Sequence, residues 1–451
     1  MELKGKKVIV VGLGRSGVDA TILCLSRGAQ VTATEQRKRC EVTPEVLDLE
    51  RQGARLVLGG HESVVWSEAD LVVVSPGVPD FGGLHQAEQA GVEVIGELDL
   101  SCRFVNAPIG VVGGTNGKST VTLWTEQMLK GLKNGLGRVF VGGNLGTPLA
   151  AHVDEPWDCV ILEISSFQAE RVPALHPRVA ALLNITHDHL DRYESFDAYA
   201  NAKGNVFRNM GSSDVAVVPA GDSICATQVS RGHCQTHTFG VGGDVRPEQH
   251  EIIDSVRGWR FPLSEIRLQG NHNVLNACAA IAIAGSLGAD AEKVARALRS
   301  FEGLRYRMQM IAKVDGVYFY DDSKGTNVGA SVAALRGIQQ PKAVLIAGGR
   351  DKLGSYEPLA EALRQRGRAL VLIGEAAKRM EDAVGGIVPT MRATSMDEAV
   401  RVAKQAAQPG DAVLLSPACS SYDMFKDYKH RGEVFREAVR KLEESAREGE
   451  P

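Results

Sequence analysis

One stretch constrains this chain more than any other: Gly113-Gly114-Thr115-Asn116-Gly117-Lys118-Ser119-Thr120. An apolar run at residues 109–112 precedes it, and a helical pattern begins at Lys118. Glycines allow backbone amides to close around an anion, a lysine supplies a cation, and a hydroxyl at the helix start can reach a divalent ion. The stretch therefore reads as a phosphate loop. The amides of Gly114, Thr115, Asn116 and Gly117 would cradle ATP phosphates, Lys118 would neutralise the β/γ charge, and Ser119 or Thr120 would reach Mg²⁺. The strict Walker spacing needs glycine at position 112, where this chain has Val112, so the loop is a shorter variant. A strand–loop–helix of this kind belongs to a parallel sheet covered by helices, which sets the class as α/β.

A second glycine turn stands near the start. Gly12-Leu13-Gly14-Arg15-Ser16-Gly17 follows a strand-like run at 8–11 and precedes a helical stretch at 16–27, with Glu35 at the end of the next strand. Alone, this pattern describes an NAD-binding dehydrogenase, although any ligand bearing a diphosphate satisfies the same physics. Two phosphate loops in one chain change the reading. A dehydrogenase needs one nucleotide site and has no use for the second loop. An enzyme that joins a nucleotide-carrying substrate to something else at the expense of ATP needs both. A non-catalytic sensor of ATP or a UDP-sugar would keep the loops and lack metal ligands.

At about 150 residues per domain, 451 residues suggest three domains. Strand-like runs divide accordingly: 8–11, 30–34, 55–58, 71–74 and 92–95, then 109–112, 159–164 and 179–183, then 317–320, 343–346, 370–373 and 412–415. The expected architecture is a Rossmann-like N-terminal domain (1–104), a central P-loop ATPase-like parallel-sheet domain (105–304) and a Rossmann-like C-terminal domain (305–451). Residues 232–260 are polar, rich in Gly and His, and read as a β-hairpin insertion. Residues 273–287 read as an Ala-rich helix, and 433–448 as a helix with a solvated charged face. A net charge of −4 argues against nucleic-acid binding through bulk positive charge. No apolar run approaches the roughly 20 residues of a membrane span, and no signal-peptide layout opens the chain, so a cytoplasmic location is expected. Eight scattered cysteines with no CxxC pair fit reduced thiols.

Two further segments carry chemistry. Glu163-Ile164-Ser165-Ser166-Phe167-Gln168 follows one central strand, and Asn184 through Tyr193, including His187-Asp188-His189, follows the next. A carboxylate and an imidazole beside ATP suggest Mg²⁺ ligation by Glu163 and His189, with His187 left at the surface or supporting a ligand from behind. Read from the residues alone, Lys203 is a solvated helix position.

Taken together, GTNGKST, Gly142-Gly143-Asn144, EISSFQ, the HDHLDRY segment, GNHNVLN from Gly270 and Asp322-Ser323-Lys324-Gly325-Thr326-Asn327 resemble the Mur ligase family, the ATP-dependent amide-forming enzymes of peptidoglycan precursor assembly. The resemblance covers nearly the whole chain. The GLGRSG turn, DSKGTN, Ser416-Pro417-Ala418-Cys419-Ser420-Ser421-Tyr422-Asp423 and Arg431-Gly432-Glu433 point, within that family, to UDP-N-acetylmuramoyl-L-alanine and D-glutamate as substrates. Folate polyglutamylation is the nearest enzymatic rival.

The resemblance implies roles. Ser16, Glu35, Gln36, Arg37, Gly77 and Asn144 would hold the UDP substrate. Asn273, Asn276, Arg307 and Asp322 would surround the adenosine of ATP. Lys324, Thr326, Lys352, Ser421 and Tyr428 would position D-glutamate. Two Mg²⁺ ions are implied, with Ser119, Thr120, Glu163, His189 and a carbamylated Lys203 as ligands. The enzyme would act as a monomer through an acyl phosphate. Arg15, Tyr306, Tyr422 and Tyr428 depart from the family's pattern: Arg15 adds a cation to the first turn, Tyr306 stands where the family often has His, and Tyr422 and Tyr428 add hydroxyls where Leu and Phe are expected.

Overall fold

The computed structural model describes residues 1–130, 137–188, 192–268, 270–351 and 355–448. His189 and Lys352, expected as a metal ligand and a D-glutamate contact, lie outside the described residues.

Three sheets form among the described residues. The first runs β3-β2-β1-β4-β5, built from β1 (Lys7–Val11), β2 (Gln30–Glu35), β3 (Arg55–Leu58), β4 (Leu71–Val74) and β5 (Glu93–Gly96), all parallel. Its strand order reverses at β1, and the first glycine turn leaves there into helix α1 (Arg15–Ser26). Such a reversal opens a crevice at the carboxyl ends of the strands, where ligands of open α/β sheets bind.

The second sheet holds β6 (Ile109–Gly113), β7 (Val139–Gly143), β8 (Cys159–Glu163), β9 (Val179–Leu182), β10 (Val215–Pro219), β11 (Gln235–Phe239), β12 (Val245–Glu248), β13 (Glu251–Asp254) and β14 (Trp259–Pro262), in the order 14-13-12-11-10-9-6-8-7. The phosphate loop joins β6, between β9 and β8, to helix α2 (Lys118–Leu129). The segment 232–260 contains the expected hairpin, β12–β13, within a larger arrangement. β11 adds to the sheet in parallel with β10, and β12 to β14 then form an antiparallel meander. β7 and β10 complete the sheet where no strand was expected. Further along the chain, helix α3 (Phe196–Gly204) and helix α4 (Asn271–Ser286) follow, and residues 277–284 of α4 are fully buried.

The third sheet runs β15-β16-β20-β17-β18-β19, with β15 (Gln309–Val314), β16 (Val317–Asp321), β17 (Ala343–Gly348), β18 (Gly367–Ile373), β19 (Thr390–Arg392) and β20 (Ala412–Leu415). Only the β15–β16 pair is antiparallel. Both faces are covered. Ala343, Leu345 and Ala347 pack with Leu370, Leu372 and Leu414 on one side, and Val344 and Ile346 with Val371, Val413 and Phe435 on the other. That double burial explains the uninterrupted apolar runs read from the sequence. The terminal helix α5 spans Tyr428–Glu448, one turn longer at its start than the charge pattern suggested.

The chain divides into two compact units. One contains the first two sheets (Met1–Ile185, Ala200–Glu265 and Asn276–Arg299), and the other contains the third (Thr186–Tyr199, Ile266–Leu275 and Ser300–Pro451). Within the first unit, the Gly96 amide donates to Arg171 O at 2.7 Å, and Asp99 accepts from the Ala174 amide at 2.8 Å, tying the first sheet's last strand and helix to the loop after β8. No helix among the described residues is long and apolar enough to cross a membrane.

Candidate active site

The phosphate loop is braced from behind. Asn184 Oδ1 accepts from the Asn116 amide at 2.8 Å, its Nδ2 donates to Asn116 O at 3.1 Å, and its carbonyl accepts from the Thr115 amide at 2.9 Å. Gly117 caps α2 in the left-handed region, φ +86°, and a Cβ there would lie 2.6 Å from Asn276 Oδ1. Glycine at 117 is thus required twice, for conformation and for space. The arrangement brings Asn276, a residue expected around the adenosine, to the loop. The bracing role of Asn184 has no local mark in the sequence, because its strand neighbours the loop's only in the folded sheet.

Two lysines dock on carbonyls of this one loop. Lys118 Nζ donates to Thr115 O at 2.9 Å, and Lys203 Nζ donates to Gly114 O at 2.8 Å. Lys203 is only 4% exposed, which corrects the reading of a solvated helix position. Its stem passes inward from α3, and a buried ammonium ordinarily demands a partner. Ser119 and Thr120 are buried at the start of α2. Glu163, at the end of β8, is 1% exposed, and its Oε1 accepts from Asn144 Nδ2 at 2.5 Å. Asn144, expected on the UDP substrate, is therefore also a brace for the carboxylate expected on Mg²⁺. His187 is exposed and lies against the Phe196 ring, 4.6 Å between centroids.

The first glycine turn is held by Glu35. Its carboxylate accepts from the Leu13 amide at 2.8 Å, from the Arg37 amide at 3.2 Å and from Arg37 Nη2 at 2.9 Å, and Arg37 Nη2 also donates to Leu13 O. Burial works to raise the Glu35 pKa, but these hydrogen bonds and the Arg37 charge outweigh it and hold the carboxyl below its usual range. At Gly17 a Cβ would sit 1.8 Å from Gly12 O, so α1 packs against the turn as closely as backbone allows. Gln36, Arg37 and Gly77 are exposed and Ser16 half-buried, which leaves them open to a ligand. Arg15 reaches across to donate to Gly146 O at 2.5 Å, just beyond Asn144.

In the second unit, Asp322 is fully enclosed. It accepts from Ser416 Oγ at 2.6 Å and from the Met308 amide at 3.2 Å. Burial pushes its pKa up to about 7 against the Ser416 hydrogen bond and the Arg307 charge. Arg307 lies between Tyr306 and Met308, both at positive φ (65° and 43°), a strained backbone of the kind that clusters at functional sites. Its Nε is buried and finds no hydrogen-bond partner among the described residues. Asn273 belongs to the same unit, near the start of α4. Lys324 Nζ stands 5.5 Å over the Tyr428 ring, and the Lys324 carbonyl accepts from the Thr326 amide at 2.9 Å. Ser421 is buried in the loop after β20, with Tyr422 beside it largely exposed.

Mostly parallel sheets, with one glycine turn leaving the first and a phosphate-type loop leaving the second, define an α/β protein with two turns of the kind that hold phosphate groups. Family models cover most of it: "Mur ligase MurD-like, N-terminal domain" at residues 6–96, "Mur ligase middle domain" at 112–284 and "Mur ligase, glutamate ligase domain" at 306–419. A UDP-N-acetylmuramoylalanine–D-glutamate ligase from Geotalea daltonii is 43% identical over 98% of this chain and 99% of its own length. One from Geobacter metallireducens is 42% identical over 98% and 99%. The chain belongs to the Mur ligase family. Among solved structures, a UDP-N-acetylmuramate–alanine ligase from Thermotoga maritima shares the fold at TM-score 0.60 and 22% identity, covering 97% of this chain and 100% of that one. A pseudomurein peptide ligase type C from Methanothermus fervidus does so at TM-score 0.62 and 20% identity, covering 97% and 100%.

Proposed function

We propose that this chain is an ATP-dependent amide ligase that adds D-glutamate to UDP-N-acetylmuramoyl-L-alanine in cytoplasmic peptidoglycan precursor synthesis. It acts as a monomer of three domains, 1–104 for the UDP substrate, 105–304 for ATP and 305–451 for the amino acid. The observation that carries the reading is the braced phosphate loop with two lysines on its carbonyls, standing beside a separate diphosphate turn. A dehydrogenase has no use for the first of these. The names of relatives 42–43% identical over 98% of the chain support this substrate pair.

The alanyl carboxylate attacks the γ-phosphorus of ATP in line, ADP leaves, and an acyl phosphate forms. The amine of D-glutamate then attacks the acyl carbon, the tetrahedral species expels phosphate, and an amide remains. Lys118 and the loop amides hold the phosphates and spread the charge on the transferring group. The buried Glu163 carboxylate and the Ser119 and Thr120 hydroxyls are oxygen donors that suit Mg²⁺, which when bound neutralises phosphate charge. Lys203 fits that set only as a carbamate, since an ammonium has no lone pair to donate. Glu35 and Arg37 orient the first turn for the UDP diphosphate, and Lys324, Thr326, Ser421 and Tyr428 receive D-glutamate.

The test is phosphate release from ATP and Mg²⁺ with UDP-N-acetylmuramoyl-L-alanine, with and without D-glutamate. Release that needs both substrates, with a product heavier by one glutamyl residue, supports the assignment. Absence of release with every pairing, together with NADH binding, returns the chain to the dehydrogenase reading. Lys118→Ala is expected to lower turnover by about 10³-fold or more while UDP-substrate binding survives.

A further inference from the structure

Arg431 is the one arginine among the largest fully buried side chains of the described residues. It sits one turn into α5, and its guanidinium works as a clamp. Nε donates to Ser323 Oγ at 3.1 Å, and Nη2 to Ser323 O at 2.9 Å and Cys419 O at 3.2 Å. Nη1 donates to Cys419 O at 3.2 Å and Ser420 O at 3.4 Å. Ser323 Oγ in turn donates to Tyr428 O at 2.8 Å, closing the ring back onto the start of α5.

Every one of these acceptors is an uncharged oxygen. Burying a cation is costly, and the usual remedy is a carboxylate in direct contact. Here the positive charge is instead spent on holding three chain segments in register: the loop after β16, the loop after β20 and the first turn of α5. Those segments carry the residues assigned to D-glutamate. Lys324 follows Ser323 directly, Ser421 follows Ser420 directly, and Tyr428 is the ring's other end. The loops also join directly, through the Ala418 amide on Gly325 O at 2.9 Å.

We infer that Arg431 is a positioning residue for the amino-acid substrate, fixing the mutual placement of Lys324, Ser421 and Tyr428 without touching D-glutamate. The inference rests on the ligase reading above and adds a residue to it. A planar guanidinium with donors fanned in one plane can serve several carbonyls at once; a lysine ammonium at the end of a flexible stem cannot. Loosening by about 1 Å is enough to lower efficiency substantially when a nucleophile must be aligned.

The experiment uses the full chain with all three substrates. Arg431→Lys keeps the charge and loses the fan; Ser323→Ala removes one hydroxyl and leaves the arginine, so it decides the matter should Arg431→Lys not fold. For Arg431→Lys, KM for D-glutamate is expected to rise about tenfold or more, with KM for ATP and for the UDP substrate within about twofold of wild type. Ser323→Ala should move the same constant in the same direction by about threefold. A D-glutamate KM unchanged in the folded variants, or three KM values rising together, overturns the positioning role. Wild-type protein whose phosphate release ignores D-glutamate overturns the ligase reading itself and this inference with it.

Discussion

Replacing Glu97 by Gln should make the protein more stable, and increasingly so as the pH rises. Glu97 opens the short helix Glu97–Cys102 after β5 and is 2% exposed. Its Oε1 accepts from Ser101 Oγ at 2.9 Å, and the carboxylate also accepts from the Ala150 amide. These bonds do not repay the loss of water. Burial raises its pKa from 4.5 to about 7, with the Asp19 carboxylate adding in the same direction; Asp19 itself faces Arg15 and His152. Between those two pH values the folded chain holds a proton that the unfolded chain has released. Stability therefore falls as pH rises through this window, and the full penalty is present above it. At 1.36 kcal/mol per tenfold change in proton affinity, the penalty amounts to about 3 kcal/mol at about pH 8 and under about 1 kcal/mol near pH 5.

Glutamine keeps the shape and an acceptor for Ala150, and it carries no charge to bury. All four tryptophans, at 66, 124, 157 and 259, lie in the same compact unit as Glu97, so urea unfolding followed by tryptophan fluorescence reports on the right part of the chain. The stabilisation by Glu97→Gln should grow from under about 1 kcal/mol at about pH 5 to about 3 kcal/mol at about pH 8. A difference that is the same at both pH values, or a variant that loses ground at high pH, would refute the account of a carboxylate ionised in a site that cannot solvate it.

Other expectations concern the site. Gly117→Ala must place a Cβ 2.6 Å from Asn276 Oδ1 on a left-handed backbone, so kcat/KM for ATP should fall by about 10²-fold, while calorimetry finds UDP-substrate affinity unchanged. Lys203→Arg keeps a cation near Gly114 O and cannot form a carbamate; kcat should fall about tenfold or more, and a ¹³C-bicarbonate adduct visible by NMR in wild type should be missing from the variant. Glu35→Ala frees the Leu13 amide and Arg37, and should weaken UDP-substrate binding about tenfold with KM for ATP unmoved. Because the Glu35 carboxyl lies below its usual range, that binding should stay flat with falling pH until below the ordinary carboxylate range.

The sequence was most legible where one segment carried both a shape and a chemistry. Both glycine turns sit where strand, turn and helix patterns placed them, because glycine spacing and apolar period are local properties. Three of the third sheet's strands are readable for a related reason: β17, β18 and β20 are buried on both faces and appear as plain apolar runs, whereas β15 and β19, mostly exposed or half-buried, carry no such run. β7 and β10 were harder. Val139–Gly143 ends in glycines that read as a turn, and Val215–Pro219 ends in proline, so neither offers the flanks of a conventional strand. In 232–260 the polar composition suggests a hairpin, and β12–β13 is one; that β11 first extends the main sheet and that β14 adds a third antiparallel strand has no local mark.

By itself the sequence determined the α/β class, the two phosphate turns and the side chains capable of handling phosphate, because each is written in residues adjacent along the chain. Only the tertiary structure decided what those side chains work against. Lys203 looks like any lysine on a helix until α3 turns it into the phosphate loop. Arg431 lies beside a run of charges that reads as solvated, yet the packing of α5 against two distant loops leaves it fully enclosed. Asn184 and Glu97 likewise acquire their roles from partners 68 residues away and from the helix around Ala150. The balance of burial, hydrogen bonding and charge that fixes such roles is a sum over neighbours in space, and the order of residues along a chain does not contain it in any local form.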